Sequence, residues 1–347
     1  MRHITCNFSS SPPTPLSPRV FMERSGVALG FTRKPSRSWS DFPSKAGGAP
    51  VWLDPQNMPP MADACCGFCK EPLQFLLQVC VPLPEGDDEN RFTLLVFMCP
   101  KMACLNLDQA QQSQETSHRS VKVFRAQVAA RRNDPNGVRL CDWCHTWKGG
   151  SQCGGCRKIS YCSRKHQVEH WQAGHSHSCK DSSSDKRAEQ KTLWHEFELE
   201  FSEEEGSEEE EEDEEAADAD GPDIVPATNL DGFQEASRED SFWAAFQARM
   251  TRAPSQVLRL GSSRAGDSQP LWMKLEGQAS DADIPSCQLC GAPRVFEFQV
   301  MPQLLYFFGV ENERDSLDWG TIAVYSCRDS CPAEGYVQEF AWVQSSP

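Results

Sequence analysis

The stretch CDWCHTWKGGSQCGGCRKISYCSRKHQVEHWQAGHSHSC, from Cys141 to Cys179, decides how the middle of this chain folds. It contains four close pairs of cysteine and histidine: Cys141/Cys144, Cys153/Cys156, Cys162/His166 and His175/Cys179. Thiolate sulfur lies about 2.3 Å from Zn²⁺, and a two-residue spacer lets one tight turn present two ligands. Eight ligands therefore predict two tetrahedral zinc sites. A metal-free loop is the alternative, but so few aliphatic residues cannot build a core without metal.

In this order the pairs resemble those of the MYND zinc finger, in which pairs one and three share one metal and pairs two and four share the other. The resemblance assigns one site to Cys141, Cys144, Cys162 and His166, and the other to Cys153, Cys156, His175 and Cys179. MYND fingers usually have cysteine where His166 stands, so His170 and His177 are alternative ligands. The tryptophans Trp143, Trp147 and Trp171 either pack around the zinc or line a groove for Pro-rich peptides.

Length, net charge and cysteine content limit the classes of protein to which this chain can belong. The chain has 347 residues, enough for two or three domains, and a formal net charge of −16. Such acidity argues against general nucleic-acid binding and favours a basic protein as partner. The 17 cysteines are about 5% of the chain, below the share typical of secreted disulfide scaffolds. Eight of them stand in four C-x2-C pairs, and no apolar run suits a signal peptide or a membrane span. We therefore expect a reducing compartment and metal-bound thiolates.

A mainly β module is predicted for residues 27–130. CGFCKEPLQFLLQV begins with a Cys66/Cys69 knuckle and continues as a strand, with Phe75, Leu77, Val79 and Val81 on one face. RFTLLVFM and VKVFR predict two further strands, and an earlier strand is expected to start at Val51. Four cysteines complete one more tetrahedral site: Cys66, Cys69, Cys99 and Cys104, with Cys65 as an alternative to Cys66.

The same design recurs near the other end of the chain. CGFCKEPLQFLLQV aligns with CQLCGAPRVFEFQV from Cys287, and FTLLVFMC aligns with GTIAVYSC. The third strand has a counterpart in YVQEFAWV. We infer an internal duplication, with a second four-cysteine site and the finger inserted between the copies. That site comprises Cys287, Cys290, Cys327 and Cys331.

The remaining segments are a Ser/Pro-rich extension, a linker and a helix. Residues 1–26 are expected to be disordered, with Met22 as an alternative start and a transit peptide as a weaker alternative. Residues 181–236 contain LWHEFELEF, which predicts a strand, and an acidic run from Glu203 to Glu215. The run is expected to be disordered, as a solvating tether or as a nucleic-acid mimic that screens a cationic client. In residues 237–347, SREDSFWAAFQARM predicts a helix that starts at a capping box of Ser237 and Asp240.

With these parts in order, the chain resembles the programmed cell death protein 2 family. The matching blocks run from about Val27 to Val343: GF at Gly30, FPSKAGG, PVWL, QFLLQV, VFR, YCSRKHQ, HW at His170, SRED, FEFQVMPQLL and SLDWGTIAVYSC. The blocks FEFQVMPQLL and DWG are specific, whereas a MYND finger alone would not be. The chain departs from the family in the short run ARRNDPNG before the finger and in the extension before Met22.

The resemblance implies a non-enzymatic chaperone or adaptor that binds a basic small-subunit ribosomal protein during ribosome biogenesis, in the cytoplasm and the nucleus. The alternative is a MYND-type adaptor in transcription, linked to cell death or proliferation, that binds Pro-rich peptides. The finger of this chain contains more basic than acidic residues. An enzyme is the third hypothesis, but no catalytic or cofactor-binding block is recognisable. The expected cofactor is Zn²⁺, two ions in the finger and one in each β module, with no nucleic-acid or membrane partner.

Overall fold

A computed structural model describes residues 27–35, 44–82, 91–127, 137–179, 192–204, 230–261, 268–310, 313 and 315–346. The extension 1–26, the linker 181–191, and the acidic run beyond Glu204 lie outside the described residues. No helix in the described part of the chain is long and apolar enough to cross a membrane.

The described strands are β1 (Val27–Arg33), β2 (Lys45–Ala46), β3 (Gln74–Pro82), β4 (Arg91–Met98), β5 (Val121–Gln127), β6 (Ser151–Gln152), β7 (Ser160–Tyr161), β8 (Phe197–Glu203), β9 (Gln256–Gly261), β10 (Arg294–Val300), β11 (Thr321–Cys327) and β12 (Tyr336–Gln344). The helices are α1 (Met102–Gln111), α2 (Arg164–His170), α3 (Leu230–Arg252) and α4 (Gln303–Phe307). Short helical turns lie at Pro55–Asn57, Thr116–His118, Trp171–His175, Ser176–Ser178 and Asp281–Asp283. The described part of the chain is therefore mainly β with few helices, as the sequence predicts.

Ten of these strands close one barrel, in the order β1-β8-β2-β3-β4-β5-β12-β11-β10-β9. The N-terminal β module supplies the antiparallel meander β3-β4-β5, and the C-terminal β module supplies β10-β11-β12. The two meanders meet where β5 pairs antiparallel with β12, for example Arg125 opposite Val337. We call this pairing the β5–β12 seam. The barrel interior is filled by aliphatic and aromatic side chains from both modules.

The duplication inferred from sequence is visible in backbone detail. The register of β3 shifts between Phe75 and Leu77, and the register of β10 shifts between the aligned residues Phe296 and Phe298. Such a bulge inserts an extra residue and reverses the alternation of faces. Sequence periodicity places Phe75 on the same face as Leu77 and Val79, and this is wrong. Phe75 joins a cluster on the outside of the barrel, whereas Leu77 and Val79 lie in the interior.

Two further expectations are corrected by the structure. No strand begins at Val51, because its N–H donates to the side chain of Gln78 at 2.8 Å instead of to a neighbouring strand. The segments PVW from Pro50 and PLW from Pro270 correspond in the two copies, and the Leu271 N–H donates to Gln299 in the same way at 2.6 Å. The helix expected to start at Ser237 begins at Leu230. Ser237 thus lies inside α3, since the preceding Gln234, Glu235 and Ala236 are themselves good helix formers.

Candidate metal centres

The first finger site is formed by Cys141, Cys144, Cys162 and His166, whose ligand atoms all lie within 4.8 Å of one another. The Cys144 and Cys162 sulfurs are 3.8 Å apart, and His166 Nδ1 lies 3.0 Å from the Cys162 sulfur. A tetrahedron with Zn–S bonds of about 2.3 Å places its sulfurs about 3.8 Å apart, so the donor spacing fits zinc. His166 is oriented by α2, whose N-cap Ser163 accepts a hydrogen bond from the His166 N–H.

The second finger site is formed by Cys153, Cys156, His175 and Cys179, again within 4.8 Å. The Cys153 and Cys179 sulfurs are 3.8 Å apart, and His175 Nε2 lies 3.6 Å from the Cys156 sulfur. A Cβ added at Gly155 would lie 2.8 Å from the Cys179 sulfur, so the knuckle needs glycine there. The two sites interleave along the chain, and loss of either is expected to disturb the other.

The alternative finger ligands lie elsewhere. His170 Nδ1 is 3.1 Å from the Tyr161 hydroxyl, and its ring stacks on Trp143 and His175. His177 is exposed. In the N-terminal β module, Cys65 forms a backbone bridge to Pro72 and lies outside the four clusters.

Each β module brings its own four cysteines together at one end of its meander. In the N-terminal site the Cys69 and Cys99 sulfurs are 3.7 Å apart. In the C-terminal site the Cys287–Cys331 and Cys290–Cys327 sulfur distances are 3.6 and 3.5 Å. The clusters are Cys66, Cys69, Cys99, Cys104 and Cys287, Cys290, Cys327, Cys331.

The knuckle backbones of the two β modules match as well. The Lys70 N–H donates to the Cys66 carbonyl, and the aligned Gly291 N–H donates to the Cys287 carbonyl. Both Lys70 and Gly291 adopt the left-handed conformation, with φ of 58° and 74°. The same turn therefore presents a cysteine pair in each module.

One thiol in each cluster has a lowered pKa. In the N-terminal module, hydrogen bonds from Cys99 and from the Phe68 and Cys69 N–H groups lower the pKa of Cys66 to about 5. Burial opposes ionisation of Cys287, but hydrogen bonds from backbone N–H groups of Cys290 and Leu289 lower its pKa to about 7.

The finger shows the same behaviour. Burial opposes ionisation of Cys153, but backbone N–H groups and His175 lower its pKa to about 6. Hydrogen bonds from Cys144 and Cys162 hold the pKa of Cys141 well below its usual value. Because zinc binds thiolate, these knuckles favour the ligating form of the first cysteine near neutral pH. All four clusters therefore have the donor set and the spacing to bind zinc.

The finger is fixed to the outside of the barrel by Trp147, which is 1% exposed. Its indole N–H donates to the Leu73 carbonyl at 2.8 Å, and its ring centroid lies 4.5 Å from that of Phe97. Trp52 completes the contact, since its own N–H donates to the Thr146 carbonyl at 2.7 Å. Sequence reasoning kept Trp147 within the finger and missed this role. The finger and the N-terminal β module share one apolar cluster.

Metal content provides a direct check. We expect freshly purified protein to contain about four zinc ions per chain, one for each cluster. Chelation should unfold the finger and loosen both barrel ends, since structural zinc contributes folding free energy. Elemental analysis and circular dichroism measure the two effects. A content of two zinc ions would restrict metal binding to the finger.

Comparison with known proteins follows this division of the chain. Residues 26–136 match the N-terminal domain model of programmed cell death protein 2, residues 141–179 match the MYND finger, and residues 240–345 match the putative C-terminal domain of the same protein. No solved structure matches the chain significantly.

Similar proteins cover almost the whole length. The chain is 32% identical to programmed cell death protein 2 of Rattus norvegicus, over 92% of this chain and 96% of the relative. It is 33% identical to the Mus musculus protein of that name, over 92% and 96%. It is 26% identical to programmed cell death protein 2-like of Homo sapiens, over 88% and 90%. With both terminal domains and a zinc-binding MYND finger in this order, the chain belongs to the programmed cell death protein 2 family.

Proposed function

We propose that this protein is a non-enzymatic chaperone that binds a basic small-subunit ribosomal protein during ribosome biogenesis, in the cytoplasm and the nucleus. The observation that carries the proposal is the acidic outer face of β8. Phe197, Leu199 and Phe201 pack toward the barrel interior. The alternating residues on the outer side include Glu198 and Glu200.

Basic side chains of the protein pair with carboxylates of this segment, and Glu204, directly after β8, pairs with Arg249 and Arg259. Lys45 pairs with Glu196, and Arg33 pairs with Glu200, whose side chain remains 43% exposed. Directly after β8 the chain continues into the acidic run that ends at Glu215. β8 and the run that follows it in the sequence are both rich in carboxylates, and this charge complements a cationic client.

The mechanism is stoichiometric holding. A free ribosomal protein exposes an RNA-binding surface rich in Lys and Arg, which binds RNA nonspecifically and aggregates. Carboxylates of β8 and of the acidic run would screen that charge until assembly, and no covalent step is needed. The zinc sites act as structural supports of the barrel that contains β8.

Affinity purification of the full chain from translating cells tests the proposal. We expect one basic small-subunit ribosomal protein at near-equal stoichiometry, released by salt. Changing the acidic residues of 205–215 to Gln and Asn keeps the length, and should weaken the complex by roughly 10-fold or more. A variant with exposed Glu115 and Glu334 changed to Gln is the control. Recovery of no ribosomal protein would refute the function.

A second candidate is an adaptor that binds Pro-rich peptides, and exposed apolar residues of the finger favour it. Trp171 is 47% exposed and Val168 is 38% exposed, three residues apart around α2 and the turn that follows it. Arg164 lies one further turn back. This hypothesis predicts that Trp171→Ser abolishes partner recovery, whereas the neutralised acidic run has no effect.

A further inference from the structure

Three buried ionised side chains meet beside the β5–β12 seam. Arg125 of β5 and Arg294 of β10 flank Glu339 of β12, and their side chains are 1%, 0% and 0% exposed. Arg125 Nε donates to one carboxylate oxygen at 2.7 Å, and Arg294 Nε donates to the other at 2.8 Å. Buried charges cost free energy unless they are paired and hydrogen-bonded, so this triad needs all its partners.

Each arginine also donates to one arm of the C-terminal four-cysteine site, and Arg294 Nη2 donates in addition to the Gln338 carbonyl of β12 at 3.2 Å. Arg294 Nη1 donates to the Pro285 and Ser286 carbonyls at 2.6 and 2.8 Å, directly before Cys287. Arg125 Nη2 lies 3.1 Å from the Cys331 carbonyl and 3.6 Å from the Cys331 sulfur. Glu339 thus couples the arm that presents Cys287 to the arm that presents Cys331.

Arg125 comes from the other copy of the duplicated module. It lies on β5, which belongs to the N-terminal β module, while all four cysteines of the site belong to the C-terminal β module. A second residue of β5 acts in the same way, since Gln127 Nε2 donates to the Ser330 carbonyl at 2.6 Å. The loop that carries Cys331 is therefore held by the opposite module across the seam.

The chemistry of a four-thiolate zinc site explains why such a donor matters. Four thiolates outweigh the charge of one zinc ion, so the occupied site is negative and is stabilised by a nearby cation or N–H donor. Arg125 supplies both to Cys331. If β5 separated from β12, Cys331 would lose its donor, and Glu339 would lose one of its two arginines.

We propose that Arg125 is a positioning residue of the C-terminal zinc site, and that pairing across the β5–β12 seam controls how tightly this site holds zinc. This role of Arg125 is independent of the client-binding function. The two β modules then contribute unequally to zinc binding, because the C-terminal site needs an intact N-terminal module to bind zinc tightly.

Site-resolved zinc release tests the proposal in the full-length, zinc-loaded chain. Excess chelator is added together with N-ethylmaleimide, and the alkylated cysteines are mapped by mass spectrometry over time. Loss of an outer hydrogen bond to a metal ligand typically lowers metal affinity by about 10–100-fold. For Arg125→Lys, which keeps the charge but loses the forked geometry, we expect Cys287, Cys290, Cys327 and Cys331 to be alkylated at least ~10-fold faster. Labelling of the finger and of the N-terminal site should be unchanged.

Arg328→Lys is the matched control, because Arg328 lies in the same loop but its side chain is 59% exposed and pairs with exposed Asp329. Its labelling should equal that of the parent chain. Glu339→Gln keeps the shape of the triad and provides an independent reading if Arg125→Lys does not fold. Unchanged release from the C-terminal site would overturn the proposal. Equal acceleration at all four sites would also overturn it, since that result indicates general destabilisation.

Discussion

Cys144→Ser is expected to unfold the whole finger and to lower the zinc content from about four ions per chain to about two. Cys144 is 4% exposed and its sulfur lies 3.8 Å from that of Cys162. A serine hydroxyl does not replace thiolate as a zinc ligand. Structural zinc contributes on the order of 10–16 kcal/mol to small finger domains near neutral pH, far more than their own packing supplies. The second finger site should be lost with the first, because their ligands interleave.

Amide dispersion in NMR and elemental analysis measure this outcome. Signals of residues 141–179 should collapse toward random-coil positions, while the barrel signals remain dispersed. Cys80→Ser is the control, because Cys80 lies on β3 outside the four clusters. A Cys144→Ser variant with a dispersed finger and four bound zinc ions would contradict the ligand assignment.

The parts of the structure that the sequence predicts well are those encoded locally. Knuckle spacing names the cysteine and histidine pairs, and the resemblance to MYND fingers divides the finger pairs between two sites in the way that the structure brings them together. The aligned copies also predict the two meanders, since each strand is an apolar run between turn residues. For the knuckles and the meander strands, residues that are close in the sequence are also close in space.

What the sequence does not predict depends on contacts between distant segments. The bulge that turns Phe75 outward leaves no clear mark in a continuous apolar run. Pairing of β5 with β12 joins residues more than 200 positions apart, such as Arg125 and Glu339. Trp147 shows no periodicity that would assign it to the barrel rather than to the finger. Long-range packing decides each of these features.

The outer surfaces of the two β modules explain why the finger packs against the N-terminal module. On the C-terminal module, Trp272 packs over Phe296 and Tyr325 from the same module. On the N-terminal module the aligned Trp52 and Phe97 are covered in addition by Trp147 of the finger. The C-terminal module covers this apolar surface with its own residues. In the N-terminal module the inserted finger completes the cover. The finger is therefore part of the body of the protein.

Trp147→Ala separates the zinc-dependent fold of the finger from its attachment to the barrel. Trp147 is not a metal ligand, so we expect the variant to retain about four zinc ions. Removing so large a buried ring typically costs about 3–5 kcal/mol, and the Leu73 carbonyl loses its partner as well. Chemical denaturation should show the barrel destabilised by this amount, and limited proteolysis should cleave the segment at Gly137–Leu140 faster.

Trp171→Ala, at an exposed site, should change stability by no more than about 0.5 kcal/mol. Unchanged stability in Trp147→Ala would mean that the finger does not support the barrel. Loss of finger zinc in Trp147→Ala would mean that docking to the barrel and metal binding are one event. Retention of finger zinc together with a destabilised barrel would assign folding of the finger to zinc and its placement to Trp147.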